Sequence, residues 1–190
     1  QKLGKTLQDK INLRWQATLK KEFAIESQLE IEFETHFSQF LMPTIRGQDV
    51  GTKKRYAGIV EKNGSSELIF KGLESVRTDW TELAKTFQRE LYLKIFNGEP
   101  FADYVRNIVT QTSAGQLDHY VKNVPPHVKA ARLADDINKI NKQPLKYQQR
   151  GWIEYLITTS GPQAKGYVNA PLDYQFYIDR QLATVADAIL

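Results

Sequence analysis

The sequence contains no cysteine, which excludes a disulfide framework and any thiolate metal site. This composition suits a reducing compartment, and we expect a cytoplasmic protein. The chain also lacks a signal-peptide pattern and any long uncharged apolar run, so we predict no membrane span. Its 190 residues, of which 41% are hydrophobic, are enough to bury a core in one or two domains.

Several catalytic signatures are missing as well. The three histidines, His36, His119 and His127, are scattered, and neither metal-ligand spacing nor a catalytic triad is easily built from them. No glycine-rich phosphate loop occurs. We therefore expect the chain to catalyse no reaction by itself.

The most informative stretch runs from Gly51 to Trp80. Runs rich in valine, isoleucine, tyrosine and phenylalanine flank the dipeptide Asn63-Gly64, which is the strongest short-range signal for a β-hairpin. The pattern predicts antiparallel pairing of residues 54–61 with residues 67–71.

Three consecutive cations, Lys53, Lys54 and Arg55, precede Tyr56 at the mouth of this hairpin. Side chains alternate between the faces of a strand, so Lys54 and Tyr56 are expected on one face. A cation beside an aromatic ring on a rigid hairpin can hold a phosphate backbone and pack against a sugar or base. A solvated edge strand with protective lysines fits the same residues, and both interpretations stay open on chemistry alone.

The N-terminal third predicts a helix followed by strands. An apolar residue at every fourth position predicts a helix over 2–23 with one core-facing stripe. Strict alternation predicts a strand over 28–35, whose Glu30, Glu32 and Glu34 form a solvated acidic face or, less simply, recruit a metal. Pro43 interrupts the next apolar run and indicates an edge strand or strand end.

Helices are predicted over much of the remaining chain. Asp79 followed by Glu82 resembles a capping box for a helix that ends at Gly98. A second helix is predicted from Pro100 to just before Gly115. A strand over 152–159, a loop over 161–171 and a helix over 174–190 complete the prediction.

A third helix is predicted from Pro125 to about residue 141. His127, Lys129 and Arg132 would lie in its first turns, where free N–H groups suit phosphate. His127 alone favours a structural hydrogen bond, and with Lys129 and Arg132 nearby the phosphate interpretation fits about as well. Residues 118–150 contain seven Lys/Arg and three Asp, so this window accounts for the whole net charge of +4. A local basic zone of this kind indicates a surface that faces a polyanion.

Several blocks carry a resemblance to a known family. Residues 53–58 resemble the Lys-x-Tyr motif at the palm–thumb junction of family B DNA polymerases, and residues 71–80 are similar to the Gly-Leu-Glu-x-Val-Arg-Arg-Asp-Trp run that opens their thumb. Thr78 stands in place of the second arginine, as in the bacterial branch of the family. Further similar blocks, in the same order, cover residues 29–37, 40–47, 123–134 and 171–174.

The resemblance implies an α+β fold. Residues 1–73 would form the end of the palm domain, an antiparallel sheet with the first helix backing it, and residues 74–190 a mostly helical thumb. The first helix lacks a clear cap and the last stops in mid-pattern, so we expect a piece excised from a longer chain.

The resemblance also implies a partner, primer–template duplex DNA, gripped through backbone and minor groove without sequence specificity. The motif places Lys54 and Tyr56 at the duplex near the primer end. The other expected DNA-binding residues are Lys53, Arg55, Arg77, Thr78, Lys129 and Arg132. Lys129 and Arg132 are included only because of their charge and their position in the predicted helix. The fragment is expected to be a monomer.

Nucleotidyl transfer requires carboxylates that position two divalent metals. The family's Asp-x-x-Ser-Leu-Tyr-Pro-Ser and Tyr-Gly-Asp-Thr-Asp motifs supply them, and neither occurs in this sequence. We therefore expect no catalytic residue and no cofactor in the fragment. Mg²⁺ is expected for the full enzyme, and deoxynucleotides would bind only through the missing palm and fingers.

Two alternatives to a polymerase thumb stay open, a stand-alone nucleic-acid-binding module, for RNA among others, and an interaction scaffold that binds no nucleic acid. The resemblance also implies a basic block of roughly fifteen residues between Asp118 and His119 that this sequence lacks. Either the protein carries a deletion, or a loop is missing from the sequence. Basic loops often become ordered only when they bind a polyanion. This favours the interpretation that a loop is missing from the sequence.

Overall fold

The structure is a computed structural model that describes residues 2–44, 54–62, 64–77, 79–122, 127–129, 152–166 and 168–189, of which 127–129, 152 and 153 are described by their backbone only. The chain divides into two compact units, Gln1–Ser38 with Val60–Glu67 and Gln39–Ile59 with Leu68–Leu190. Antiparallel sheets and separate helices make up the α+β class that the sequence predicts.

Helix α1 spans Lys2–Phe23, as predicted, but its apolar stripe does not face a core. Leu3 and Phe23 are 71% and 64% exposed, and none of the helix residues is buried. The half-covered side is instead the one with Gly4, where a Cβ atom would overlap the ring of Phe33. The missing Cβ makes room for the following segment beside Gly4. Within the described residues, Trp15 and Leu19 of the apolar stripe are half-buried, whereas Leu3, Leu7 and Phe23 stay exposed.

The predicted strand over 28–35 is wrong, because these residues have no regular secondary structure. Their backbone bonds to amide side chains of α1 instead of to another strand. The Ile31 N–H donates to Asn12 Oδ1 (2.9 Å), Asn12 Nδ2 donates to the Ile31 carbonyl (3.0 Å), and the Phe33 N–H donates to Gln8 Oε1 (2.8 Å). The alternation remains visible in exposure, since Ile31 and Phe33 are half-buried while the three glutamates are exposed.

The predicted hairpin is present. Strand β1 (Gln39–Leu41) pairs antiparallel with β2 (Tyr56–Lys62), which lies beside β3 (Ser65–Lys71) in the order β1-β2-β3. Only residues 63 and 64 join β2 to β3, and so short a connection permits only antiparallel strands. Strand β1 is an edge, as the proline after it predicts. That α1 backs this sheet stays a prediction.

Helix α2 (Glu82–Phe96) follows a 3₁₀ turn at Glu74–Val76. Its cap is Thr81, whose hydroxyl accepts from the Ala84 N–H (3.2 Å), so the predicted capping role of Asp79 is wrong. Asp79 binds Arg77 instead, and Thr81, nearer the first turn, reaches its free N–H groups. The helix ends as predicted at Gly98, whose φ of 67° permits the left-handed turn.

Helix α3 (Ala102–Ser113) confirms the second helix, and helix α4 spans Asp118–Lys122. Asp118 and His119 are consecutive residues of α4, and the described chain contains no cis peptide bond. The block of roughly fifteen residues that the resemblance implies between them is absent from the sequence, and both a deletion and a missing loop stay open.

A second antiparallel sheet contains β4 (His127–Lys129), β5 (Trp152–Thr158) and β6 (Gly161–Ala164). The prediction of a helix beginning at residue 125 is wrong for His127–Lys129, because their backbone pairs with residues 152–154 of β5; its remainder lies outside the described residues. The predicted loop over 161–171 is wrong at its start, because Gly161–Ala164 returns along β5 as a hairpin.

The C-terminal helix consists of α-helical Tyr174–Tyr177, a π-helical turn at Ile178–Leu182 and α-helical Ala183–Asp187. Its predicted apolar positions Tyr177, Leu182 and Val185 are at most 1% exposed. They join α2 residues such as Phe87 and Leu91 in the main core. A smaller core beneath the hairpin contains Ala57, Leu68, Leu73 and Tyr92.

Candidate nucleic-acid interface

Lys54 is exposed in a turn directly before β2. The backbone of Gly72, at the far end of the hairpin, lies so close that a Cβ atom there would overlap the Lys54 carbonyl oxygen. Gly72 also has a φ of +64°, which favours glycine. The hairpin mouth is therefore closed by two backbones in contact, while the Lys54 ammonium remains accessible to a partner.

Arg55 points into the fold and pairs with Glu74, whose side chain is only 5% exposed. Gln88 of α2 completes the arrangement, since its Nε2 donates to Glu74 Oε2 (2.9 Å) and its Oε1 accepts from the Ser75 N–H (2.7 Å). One network thus joins the entry of β2, the 3₁₀ turn and α2. It fixes the backbone on which Lys54 and Tyr56 are mounted.

Tyr56 is half-buried and packs against Phe40 of the edge strand, with ring centroids 5.3 Å apart. Phe40 pairs in register with Gly58, two residues after Tyr56 on the same face of β2. Ala57, on the opposite face, is fully buried in the small core. Tyr56 and Phe40 therefore share the other face of the sheet, where Phe40 keeps 51% of its surface exposed while Gly58 and Val60 are buried.

Arg77 is held by its neighbours in the chain. Its Nε and Nη2 donate to the two carboxylate oxygens of Asp79 at 2.8 and 2.5 Å, and its guanidinium lies 5.9 Å from the centroid of the Trp80 ring. The bond to Asp79 is the largest cause that raises the pKa of Arg77 above its usual value. A bidentate pair of this kind is among the stronger side-chain contacts, so Arg77 already has an anionic partner.

The structure brings two of the predicted cations together. Burial lowers the pKa of Arg55 below its usual value, Tyr92 acts in the opposite direction, and repulsion by Arg77 adds to the lowering. Both arginines stay protonated, because the guanidinium group does not lose its proton in proteins. Each of these two charges is paired with a carboxylate, that of Glu74 for Arg55 and that of Asp79 for Arg77.

The remaining predicted site residues are less well supported. Lys53, Thr78 and Arg132 lie outside the described residues. Lys129 belongs to β4, so the argument that a helix N-terminus there attracts phosphate no longer applies. Their proposed contact with DNA stays a prediction.

Three contributors to the site were not assigned to it from the sequence. Glu74 and Gln88 position the hairpin, and Phe40 extends its aromatic face. Glu74 lies inside the family motif, which was a usable signal. Gln88 lies on the apolar side of α2, where a polar residue that is 1% exposed indicates a buried hydrogen-bond partner.

The described part of the chain does not fit a catalytic metal centre. No group of three or more His, Cys, Asp or Glu that could hold a metal occurs among the described residues. No described helix is long and apolar enough to cross a membrane.

Comparison with known proteins agrees with the family resemblance of residues 53–58 and 71–80. Residues 3–147 match the model of DNA polymerase family B, and the chain belongs to this family. It is 50% identical to DNA polymerase II of Escherichia coli over 203 residues, which include the whole of this chain. This identity confirms the predicted resemblance to the bacterial branch.

Two archaeal proteins are also similar. DNA polymerase 2 of Aeropyrum pernix is 33% identical over 73% of this chain and 19% of its own length. A DNA polymerase of Archaeoglobus fulgidus is 35% identical over 46% of this chain and 13% of its own length. The chain spans about a quarter (26%) of the Escherichia coli protein. That alignment covers 203 residues against the chain's 190, so the relative has additional residues within the shared region.

Proposed function

We propose that this chain is the palm end and thumb of a DNA-directed DNA polymerase, with the boundary near residues 73 and 74. Its role is to grip primer–template duplex behind the primer terminus, through the sugar–phosphate backbone and minor groove. The chain performs no nucleotidyl transfer itself. The whole enzyme would bind its deoxynucleotides and a divalent cation, Mg²⁺ by preference, through carboxylates outside this chain.

The observation that carries this proposal is the surface at the hairpin mouth, where Lys54 is exposed and the half-buried Tyr56 lies against the half-exposed Phe40. Its backbone is fixed by the network of Arg55, Glu74 and Gln88. A rigid cation can hold a phosphate without reading sequence, and an aromatic ring can pack on a sugar or base. Processive synthesis requires a grip that tolerates every sequence.

The proposal assigns different roles to the predicted cations. Lys54 contacts a phosphate directly, and Lys53, Arg77 and Thr78 are its neighbours along the duplex. Arg55 acts through the loop it positions. Lys129 and Arg132 are retained as more distant contacts on charge alone. A monomeric, cytoplasmic protein fits this role.

The proposal is tested by replacing Lys54 and Tyr56 with alanine and titrating a labelled primer–template by fluorescence anisotropy. Loss of a charge-assisted contact costs about 1.5–3 kcal/mol, and loss of a stacked ring about 1–3 kcal/mol. We expect weaker binding by a similar factor for every DNA sequence. Removal of Lys54 should also make the slope of log binding constant against log salt concentration shallower by about one, because one phosphate contact is lost.

Lys5→Ala provides the charge control, because Lys5 is an exposed cation on α1. Thermal melting of each variant checks that the fold is intact. If the double variant is folded and binds primer–template as tightly as the control, then Lys54 and Tyr56 are not part of the interface.

A further inference from the structure

A groove of about 480 Å³ lies between the hairpin and the first two turns of α2. Leu68 and Phe70 of β3 form one side, and Ser75 and Val76 of the 3₁₀ turn form its end. Four residues of α2 form the other side, Glu82, Lys85, Thr86 and Arg89. None of the contacts described above uses the cations of this groove.

Lys85 and Arg89 are one helical turn apart and lie on the same side of α2. Within the described residues neither has a carboxylate within ion-pair distance, unlike Arg55, Arg77 and Lys94. Glu82 also lines the groove and is its one acidic side chain. The groove therefore carries a net positive charge that the described part of the chain does not neutralise.

Ser75 adds a polar group without a partner. Its Oγ atom is shielded from solvent and makes no hydrogen bond in the described structure. Buried hydroxyl groups are normally hydrogen-bonded, since leaving one unsatisfied costs about 1–3 kcal/mol. Because the Ser75 Oγ atom is enclosed, the donors that a phosphate oxygen in the groove can reach are the two cations.

The groove begins close to the hairpin mouth. The Gly72 backbone touches the Lys54 carbonyl, and Ser75 follows three residues later, at most about 11 Å along the chain. One DNA strand advances about 3.4 Å along the helix axis per nucleotide. Along the helix axis, this length of chain therefore corresponds to at most about three nucleotides.

We propose that the groove is a second phosphate site of the duplex grip, in which Lys85 and Arg89 hold the backbone of the strand that Lys54 contacts. This inference rests on the proposed function. Charge complementarity identifies the occupant as the phosphate backbone of a nucleic acid. The apolar wall of Leu68 and Phe70 packs against the sugars.

The experiment compares duplex binding by K85Q/R89Q with that by K10Q/R14Q. The second pair is a matched control, because Lys10 and Arg14 are also a lysine and an arginine four residues apart, and both are exposed on α1. We expect K85Q/R89Q to make the log–log salt slope shallower by about two, and the control to leave it nearly unchanged.

Two single variants sharpen the test. E82Q removes the acidic side chain of the groove and should tighten duplex binding. S75A should leave duplex binding nearly unchanged, because the Ser75 Oγ atom is shielded from solvent and does not reach a phosphate in the groove. Circular dichroism melting confirms that each variant is folded.

The outcomes separate this inference from the proposed function. If the unchanged chain binds no duplex, the proposed function itself fails. If it binds duplex but K85Q/R89Q and K10Q/R14Q behave alike, only the second phosphate site is refuted. Binding of an acidic peptide that is lost in K85Q/R89Q, with duplex binding intact, also refutes it and identifies a protein partner.

Discussion

The guanidinium of Arg55 pairs with the carboxylate of Glu74, which is almost completely buried. The Arg55 side chain is 31% exposed and that of Glu74 only 5%. This pair connects the start of β2 to the 3₁₀ turn before α2, and Gln88 secures the second carboxylate oxygen. Arg55, in a run of three cations, therefore stabilises the fold, whereas Lys54 beside it remains exposed.

Replacing Arg55 with methionine should unfold the hairpin mouth more readily. It would leave the Glu74 carboxylate buried without its cation, and breaking a buried pair in this way costs about 3–5 kcal/mol. We expect R55M to lower the free energy of unfolding by about 3 kcal/mol, the lower end of this range, because Arg55 is partly exposed. Urea unfolding measures the loss. The double variant R55M/E74Q removes the unpaired charge and should recover part of the stability; equal loss in both variants would contradict the account.

Asn substitution of Asp79 tests whether Arg77 contacts DNA. D79N weakens the bidentate hold on Arg77 and should tighten duplex binding, with a salt slope steeper by about one contact. D103N is the matched control, since Asp103 binds the exposed Arg106 at 2.5 Å and the charge change is the same. Equal effects of D79N and D103N in an anisotropy titration would show that Arg77 is not at the interface.

Tyr92 should tolerate loss of its hydroxyl group. The ring is fully buried, and the hydroxyl has no hydrogen-bond partner in the described structure. Y92F should therefore leave the free energy of unfolding unchanged or raise it by about 1 kcal/mol. Y177F is the control, because the Tyr177 hydroxyl accepts from the Ile157 N–H at 2.8 Å, and its loss should destabilise the fold. A destabilised Y92F would contradict this assignment.

The same tyrosine makes stability depend on pH. Burial raises the pKa of Tyr92 from 10.0 to about 12, and Arg55 opposes the rise. The folded state thus keeps a proton that the unfolded state loses near pH 10. The contribution of the protonated Tyr92 to the free energy of unfolding is therefore fully present below pH 10. It is lost as the pH rises from 10 to about 12. Y92F should show a smaller alkaline loss in urea unfolding across this range.

The elements set by local chemistry could be predicted from the sequence. Asn63-Gly64 indicated the hairpin, Pro43 the edge strand and Gly98 the end of α2, because each rests on backbone geometry within a few residues. Tyr56 begins β2 within the predicted strand, whereas Lys54, predicted in the same strand, lies in the turn before it.

The failures depend on partners that are distant in the sequence. Residues 28–35 alternate like a strand, but amide side chains of α1 take the place of a neighbouring strand. The double proline before His127 suggested a helix. Instead, the backbone of residues 127–129 pairs with strand β5, which lies about 25 residues further along the chain. Likewise, nothing local indicates that Arg55 pairs with Glu74 and that Lys54 does not.

The central claim is a duplex grip that ignores sequence. Its most direct test is one titration of the unchanged chain at two salt concentrations with primer–template duplex, single-stranded DNA and double-stranded RNA. We expect duplex DNA to bind best, with similar affinity for unrelated sequences and a loss of affinity at high salt from counterion release. Preference for single-stranded DNA or for RNA, or no binding to any of the three at low salt, would contradict the account.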